Sequence, residues 1–553
     1  MNINKKLLLS SLVFLLSRQI MAQTGGEKYS WENLPRAEQP SFKTDTFNII
    51  KYGAKADGAT LNTESINNAI TDCNNKGGGV VLIPQGLWLT GPVILKSNVN
   101  LHIDRAALLQ FTDDKSQYKL ILGNYEGHKA IRNQSPISGT DLTNIAITGE
   151  GVIDGHGEVW RAMGRDRVTE SEWKELLASG GELSNDGRTW YPSASYAKGA
   201  KISNVGYVDP EKSLKDYEAI KDYFRPNLIV INNCKKVLLQ GVTFQNSPDW
   251  CLHMLLCNDL TLEGVRIRNL PSAQNGDGMD LESCSHVLVE NSTVDAGDDG
   301  ICIKSGKDEE GRKVGKASQY IVIRNNIVYK AHGGFVIGSE MSGGAHDIFV
   351  SDCTFIGTDN GLRFKTVRGR GGIVENIFIR NITMRDILHD AILFDMYYFA
   401  KAPTLAQTNG KVDILAVDEG TPQFRKFYIS NIVCDGAERA MFIRGLPEMS
   451  IKDIYLENVF IKANVGINIM EAQNINLNNI TMECDNTGPL INIENSNHIT
   501  FNQIVPQTNP DLFFSINGDR SGQISVQHTA VSAAKNIIEF KYGADKSALT
   551  IDK

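Results

Sequence analysis

The chain has 553 residues, of which 41 % are apolar and 22 % charged, an ordinary balance for a soluble globular protein. Its net charge of −8 bears against nucleic acid as a partner. It also excludes a generally basic surface, so an anionic ligand would have to be met by a local cluster of cations.

In chain order, Lys5 and Lys6 precede an apolar run over 7–16, and Ile20, Met21 and Ala22 offer a cleavage site before Gln23. Residues 1–22 therefore read as an export signal, followed by a leader over 23–45. The run is about half of the ~20 residues that span a bilayer. No later segment is long and apolar enough to cross one, so the expectation is an exported, monomeric protein, secreted or periplasmic, without a membrane partner. Nine cysteines, from Cys73 to Cys484, lack paired C-x-x-C spacing, which bears against zinc; buried thiols in strands are the simpler reading.

From Phe47 the sequence FNIIKYGAKADG reads as a strand entering a turn. Ile66, Ala69, Ile70 and Cys73 follow helical spacing, with Asn62 as the expected N-cap and Gly77 as the stop. Beyond them one pattern recurs: an apolar or β-branched triplet, a small or Asn turn, then a second short strand. It stands at VLLQGVTF (from Val237), LTLEGVRI (Leu260), VLVENSTV (Val287), IVIRNNIV (Ile321), IFIRNITM (Ile377) and IYLENVFI (Ile454). Repeats of uneven length, in the twenties and thirties, without intervening helices exclude βαβ units and predict an all-β solenoid with a β-helix cross-section over 46–553. A β-propeller would need about four strands per ~40–50-residue blade and a closing signature.

A β-helix exposes its interior at both ends, so the helix after Asn62 is the expected first cap. The tail over 518–553 is expected to be irregular and to form the second. Residues 160–224 break the pattern. Thr169 and Glu172 make a capping box, and Asp209-Pro210 is expected to open a helical run to Tyr223. This helical insertion either decorates a binding face or is a structural outgrowth.

The chemistry-bearing residues lie on successive repeats: NGDGMD over 275–280, AGDDG over 296–300, AHGG over 331–334 and LRFK over 362–365. Stacking at ~4.8 Å per coil would bring Asp277, Asp298 and Asp299 together. Three adjacent carboxyls do not all ionise cheaply, so at least one should hold its proton, as a general acid must. A calcium site or a turn-stabilising pair would use the same acids. Arg363 and Lys365 share a face, where a carboxylate ligand could bind both, and His332 can hydrogen-bond an acid on the neighbouring coil.

These motifs resemble the polygalacturonase family, glycoside hydrolase family 28, within the pectin-lyase-like superfamily of right-handed parallel β-helices. N-x-D, D-D, G-H-G and R-x-K match Asn275/Asp277, Asp298/Asp299, His332-Gly333 and Arg363/Lys365; Ala331 replaces the usual first Gly. YGAKADG, LTGP, SPDW and IGSEMSGG extend the likeness over most of the chain. The resemblance implies hydrolysis of α-1,4-linked galacturonic acid in pectin or oligogalacturonides, inverting and without metal or other cofactor. Asp298 would be the acid, Asp277 and Asp299 would activate water, and His332 would support the acid. Arg363 and Lys365 would bind the sugar carboxylate, with Asn275 orienting its neighbours and Lys304 and Tyr397 (or Tyr398) lining adjacent positions. Trp250 is either a sugar platform or a core residue. Carboxyl groups about 5 Å apart would by the general rule imply retention, whereas the resemblance implies inversion. The insertion favours exo action if it closes one end of the cleft. A pectate or pectin lyase, a galacturonidase on branched or rhamnose-containing pectin, and a non-catalytic polysaccharide-binding solenoid are the competing readings.

Overall fold

The structure, a computed structural model, describes residues 29–408 and 410–552; the expected export signal lies outside them. The described residues 29–35 belong to a small unit of their own, in which Ser30 bridges Asn33. From Arg36 onward the chain is a right-handed parallel β-helix, with 34 of its strands joined in one sheet.

One coil shows how the pattern builds it. Leu252–Leu255, Asn258–Glu263 and Arg266–Arg268 form three sides, and Met279–Glu282 starts the next coil directly beneath, with Leu252 opposite Met279. Alternating residues such as Leu260 and Leu262 point inward and are fully buried. Corners are often turned by asparagine in the left-handed region: Asn291, Asn325, Asn381, Asn431, Asn458 and Asn479 all have φ near +55°. Their side-chain amides also bond between coils, Asn431 to Asn381 at 3.0 Å and Asn479 to Asn458 at 2.8 Å. Asn is therefore common here because it tolerates the turn and pairs along the axis. Under the sheet that carries the site, Phe335, Phe364 and Phe394 stack with ring centroids 6.2 and 4.5 Å apart. Truncating Phe364 to Ala would cost about 3–5 kcal/mol.

The helix Thr63–Asn75 buries Ile66, Ala69, Ile70 and Cys73 at the first end, as the spacing predicts. Asn62 occupies the N-cap position, but its side chain makes no capping bond and instead ties the preceding loop through Lys55 and the Leu89 carbonyl. The tail is not irregular. Gly522–Gln527, Asn536–Lys541 and Leu549–Ile551 pair in parallel and continue the solenoid. Within 160–224 the Thr169–Glu172 capping box forms, but the last helical run starts at Ser213, boxed by Asp216, not at Asp209-Pro210. All nine cysteines are free and buried. Among the described residues no helix is long and apolar enough to cross a membrane.

An antiparallel hairpin, Leu120–Tyr125 with His128–Asn133, departs from the parallel scheme. Its apolar side, Leu120 and Ile131, packs on Tyr217, Ile220 and Phe224 of the insertion. Ile131 N–H also donates to Gly206 O at 3.1 Å, and the His128 and Tyr207 rings stack at 4.2 Å. The insertion is thus the buttress of a hairpin that reaches along the solenoid.

Candidate active site

Consecutive strands of one side place the acids. Asp299 lies opposite Gly333 in register, which sets His332 beside Asp298, and Gly278 N–H bonds Asp299 O at 2.9 Å. Glycines let these coils approach: a Cβ on Gly278 would sit 2.5 Å from Gly300 O. Asp277, Asp298 and Asp299 consequently bring one oxygen each within 4.8 Å of one another. His332 Nδ1 lies 3.0 Å from Asp298 Oδ1. Arg363 Nη1 donates to Asp299 Oδ1 at 2.9 Å and Lys365 Nζ to Asp299 Oδ2 at 2.7 Å.

The three acids differ in environment. Burial, reinforced by Asp280 and Asp298, holds the Asp277 carboxyl well above the usual carboxylate range. Asp299 is equally buried, which alone would raise it, yet Lys365 and Arg363 keep it below that range and ionised. Asp298 is the most open, its side chain 23 % exposed. The hydrogen bond to Asp298 outweighs burial at His332 and raises its imidazole above 6.5. A protonated acid, an ionised acid and an exposed acid thus stand within one water molecule's reach of each other.

Positive charge comes from the chain. Lys304 Nζ lies 3.2 Å from Glu340 Oε2 and 3.6 Å from Asp280 Oδ1, and 4.7 Å from the centre of the Trp250 ring. Although burial opposes it, Lys304 and Arg370 hold Glu340 down at about 2. Asp277, Asp298 and Asp299 are close enough to hold a cation, but Lys365 and Arg363 already neutralise Asp299. Asn275 Oδ1 accepts from Arg225 Nη2 at 2.8 Å, an anchor for the turn that carries Asp277.

Most of the residues singled out from sequence meet in one 290 Å³ pocket: Asn275, Asp277, Asp298, Asp299, Lys304 and Lys365 line it, with Arg363 and His332 bonded to its acids. Trp250 lines it too, although only 2 % exposed. Tyr397 is corrected. Its ring is buried under Arg368 and Arg444, and it is Tyr398 that stands over Lys365, 4.8 Å away. Nothing in the spacing of Asp280 and Glu340 reveals that they face Lys304, or in that of Arg370 that it lies 3.6 Å from Glu340.

One side of the pocket is walled by Glu126 and Lys307. Glu126, at the hairpin tip, accepts from Lys307 Nζ at 3.0 Å, and Lys307 N–H donates to Gly127 O at 2.9 Å. On the rim stands Phe399, 92 % exposed, its ring against Tyr398 at 3.9 Å.

Residues 167–419 of this chain match glycosyl hydrolases family 28, and 46–163 match the rhamnogalacturonase A/epimerase, pectate lyase-like family. The family 28 match thus spans the four strand ends that carry Asp277, Asp298, His332 and Arg363. The chain is 29 % identical over 62 % of its length to a probable polygalacturonase of Vitis vinifera, and it spans only 62 % of that relative. It is 27 % identical to an exo-poly-alpha-D-galacturonosidase of Dickeya chrysanthemi, over 78 % of this chain and 70 % of the relative. A hyperthermoactive exopolygalacturonase from Thermotoga maritima superposes with a TM-score of 0.66 at 29 % identity, covering 81 % of this chain and 94 % of that one.

Proposed function

We propose that this protein is a family 28 glycosidase that releases galacturonic acid from the end of α-1,4-linked galacturonan by inverting hydrolysis, acting outside the cytoplasm. The observation that carries the exo assignment is the Glu126–Lys307 contact, which closes one side of a pocket lined by acids and cations. A chain end fits such a pocket; the middle of a polymer would have to pass through the wall. The exo-acting names of two of the three relatives support the same reading.

The steps follow from the three environments. The uronate carboxylate competes with Asp299 for Arg363 and Lys365, both of which can hold an oxygen anion by charge-assisted bonds. Asp298 gives its proton to the glycosidic oxygen as the C1–O bond breaks, and His332, 3.0 Å away, restrains its orientation. A water on the opposite face adds its oxygen to C1 and passes its proton to Asp299. Asp277, protonated, hydrogen-bonds that water, a narrower role than the shared base the resemblance implies. Oxygens within 4.8 Å are closer than the ~6.5–9.5 Å general for inversion; Asp299 turning away from Arg363 and Lys365 would open that gap.

Digestion of a defined oligogalacturonide, followed by mass spectrometry and proton NMR, tests all of this. Monomer from the first time point, appearing as the β anomer, is expected. A ladder of oligomers would remove the exo assignment, an initial α anomer the inversion, and an unsaturated product absorbing in the ultraviolet the hydrolysis itself.

A further inference from the structure

Along the solenoid axis Lys365 lies between two carboxylates. The one it holds is Asp299, with Nζ 2.7 Å from Oδ2. The other is Asp395, which stands opposite Lys365 in register on the next coil, their backbones ~4.8 Å apart. Both side chains point outward, since Phe364 and Phe394 take the inward positions between Arg363 and Lys365 and between Leu393 and Asp395. An ammonium on a flexible four-carbon stem can turn to either acid. Asp395 is nevertheless engaged from its far side. Arg444, opposite it one coil further on, grips both of its oxygens, Nε to Oδ1 at 2.9 Å and Nη2 to Oδ2 at 2.8 Å.

That grip has the features of a strong ion pair. It is bidentate, and the two side chains are 26 and 17 % exposed, too little for solvent to screen it fully. The Arg444 guanidinium also lies 5.4 Å from the centre of the Tyr397 ring and 5.0 Å from that of Phe442, which hold its plane in place. The other cations on this stretch are committed, Arg439 to Asp390 at 3.1 Å and Arg368 to both oxygens of Glu448. Without Arg444, Asp395 would keep only the Tyr397 N–H, at 3.0 Å from Oδ1, and a part-buried carboxylate short of a cation would draw Lys365 from the neighbouring coil.

We infer that Arg444 is a positioning residue for uronate binding: by holding Asp395 it keeps that carboxylate off Lys365, and Asp299 remains the acid that the sugar carboxylate has to displace. The inference rests on the proposed hydrolysis, in which Lys365 is a uronate ligand. A second acid on Lys365 would compete with every incoming uronate. Once the sugar is bound, Lys365 is occupied whether or not Arg444 is present, so the bond-breaking step is unaffected. The effect therefore falls on KM and spares kcat.

The test compares Arg444→Gln, Asp395→Asn and the double variant with the wild-type full chain, by initial rates on trigalacturonate and by unfolding temperature. Gln keeps a stem over the two rings, and Asn keeps an oxygen for the Tyr397 N–H. Arg444→Gln is expected to raise KM about tenfold, the worth of a hydrogen bond to a charged group, with kcat within about twofold. Asp395→Asn alone should leave KM near the wild-type value, and adding it to Arg444→Gln should bring KM back. Arg444→Lys, which still offers Asp395 a cation, should stay within about threefold of the wild type. A pair that served only the fold would make both single variants lose alike, with no recovery in the double variant. That pattern, or an unchanged KM in Arg444→Gln, would overturn the inference. Arg444→Met repeats the comparison if the Gln variant does not fold, and failure of both to fold would mark the pair as structural and overturn it. A wild type that does not cleave trigalacturonate would instead sink the hydrolysis; the same ranking of variants, read as Kd by calorimetry, then decides the role of Arg444.

Discussion

Two cavities, of 290 and 580 Å³, share one face of this solenoid, separated by the Glu126–Lys307 contact, and they are built on opposite principles. In the smaller, Lys304, Lys365 and Arg363 are buried against Asp277, Asp280, Asp299 and Glu340, so every proton and every incoming carboxylate is felt by several neighbours. In the larger, framed by the hairpin and the helix Asp308–Val314, Arg132 and Glu282 are each closed off by a single partner. Stacked coils supply identical backbone to both. The difference teaches that what a β-helix face does is decided by which residues occupy equivalent positions on three or four adjacent coils, and by what is laid over them.

The sharpest way to break the comparison is Asp298→Asn. Loss of the general acid should lower kcat on oligogalacturonide by about 10²–10⁴, measured as reducing sugar released. A variant that cleaves at the wild-type rate would leave the smaller cavity as a binding site only. His332→Gln comes next, with about 10–100-fold lost near neutral pH, the worth of a hydrogen bond to a charged group. The sign is fixed by the raised imidazole. His332 stays protonated to higher pH than an ordinary histidine, so the wild-type rate should fall only as pH rises past a point above 6.5, and the Gln variant should lose that alkaline limb. An alkaline limb unchanged in the variant would assign it to another group.

Much of this was legible in the sequence because a solenoid turns sequence period into spatial neighbourhood. Asp277, Asp298, His332 and Arg363 sit near equivalent strand positions, so their spacing alone announced a cluster. The partners of Lys304 were not legible. Glu340 lies in a loop beyond its strand, as does Arg370, which reaches Glu340 from the other side, and loop length varies from coil to coil. The hairpin over 120–133 escaped because its antiparallel pairing is local, and its apolar residues look like those of any other short strand. Tyr397 and Tyr398 could not be told apart, since strand alternation ends at Asp395, where a tight turn begins with Tyr397 N–H donating to Asp395 Oδ1 at 3.0 Å. The last coil is hard to read from sequence because its strands Asn536–Lys541 and Leu549–Ile551 carry no fully buried residue.

The smallest effect belongs to that same turn. Phe399 is held with φ +60°, uncommon for a bulky residue, by Tyr398 N–H to Thr366 O at 3.0 Å and Ala400 N–H to Tyr397 O at 2.7 Å. The turn therefore presents an aromatic ring to solvent at the rim of the smaller cavity, where it can cover the apolar face of a sugar on the open side. Phe399→Ala should raise KM for a trimer about 3–10-fold with kcat nearly unchanged, and Phe399→Trp should restore it. Being almost fully exposed, Phe399 contributes little to the core, so the unfolding temperature should not move. A KM that stays constant in the Ala variant would mean that the sugar on the open side is held by the cations and Tyr398 alone.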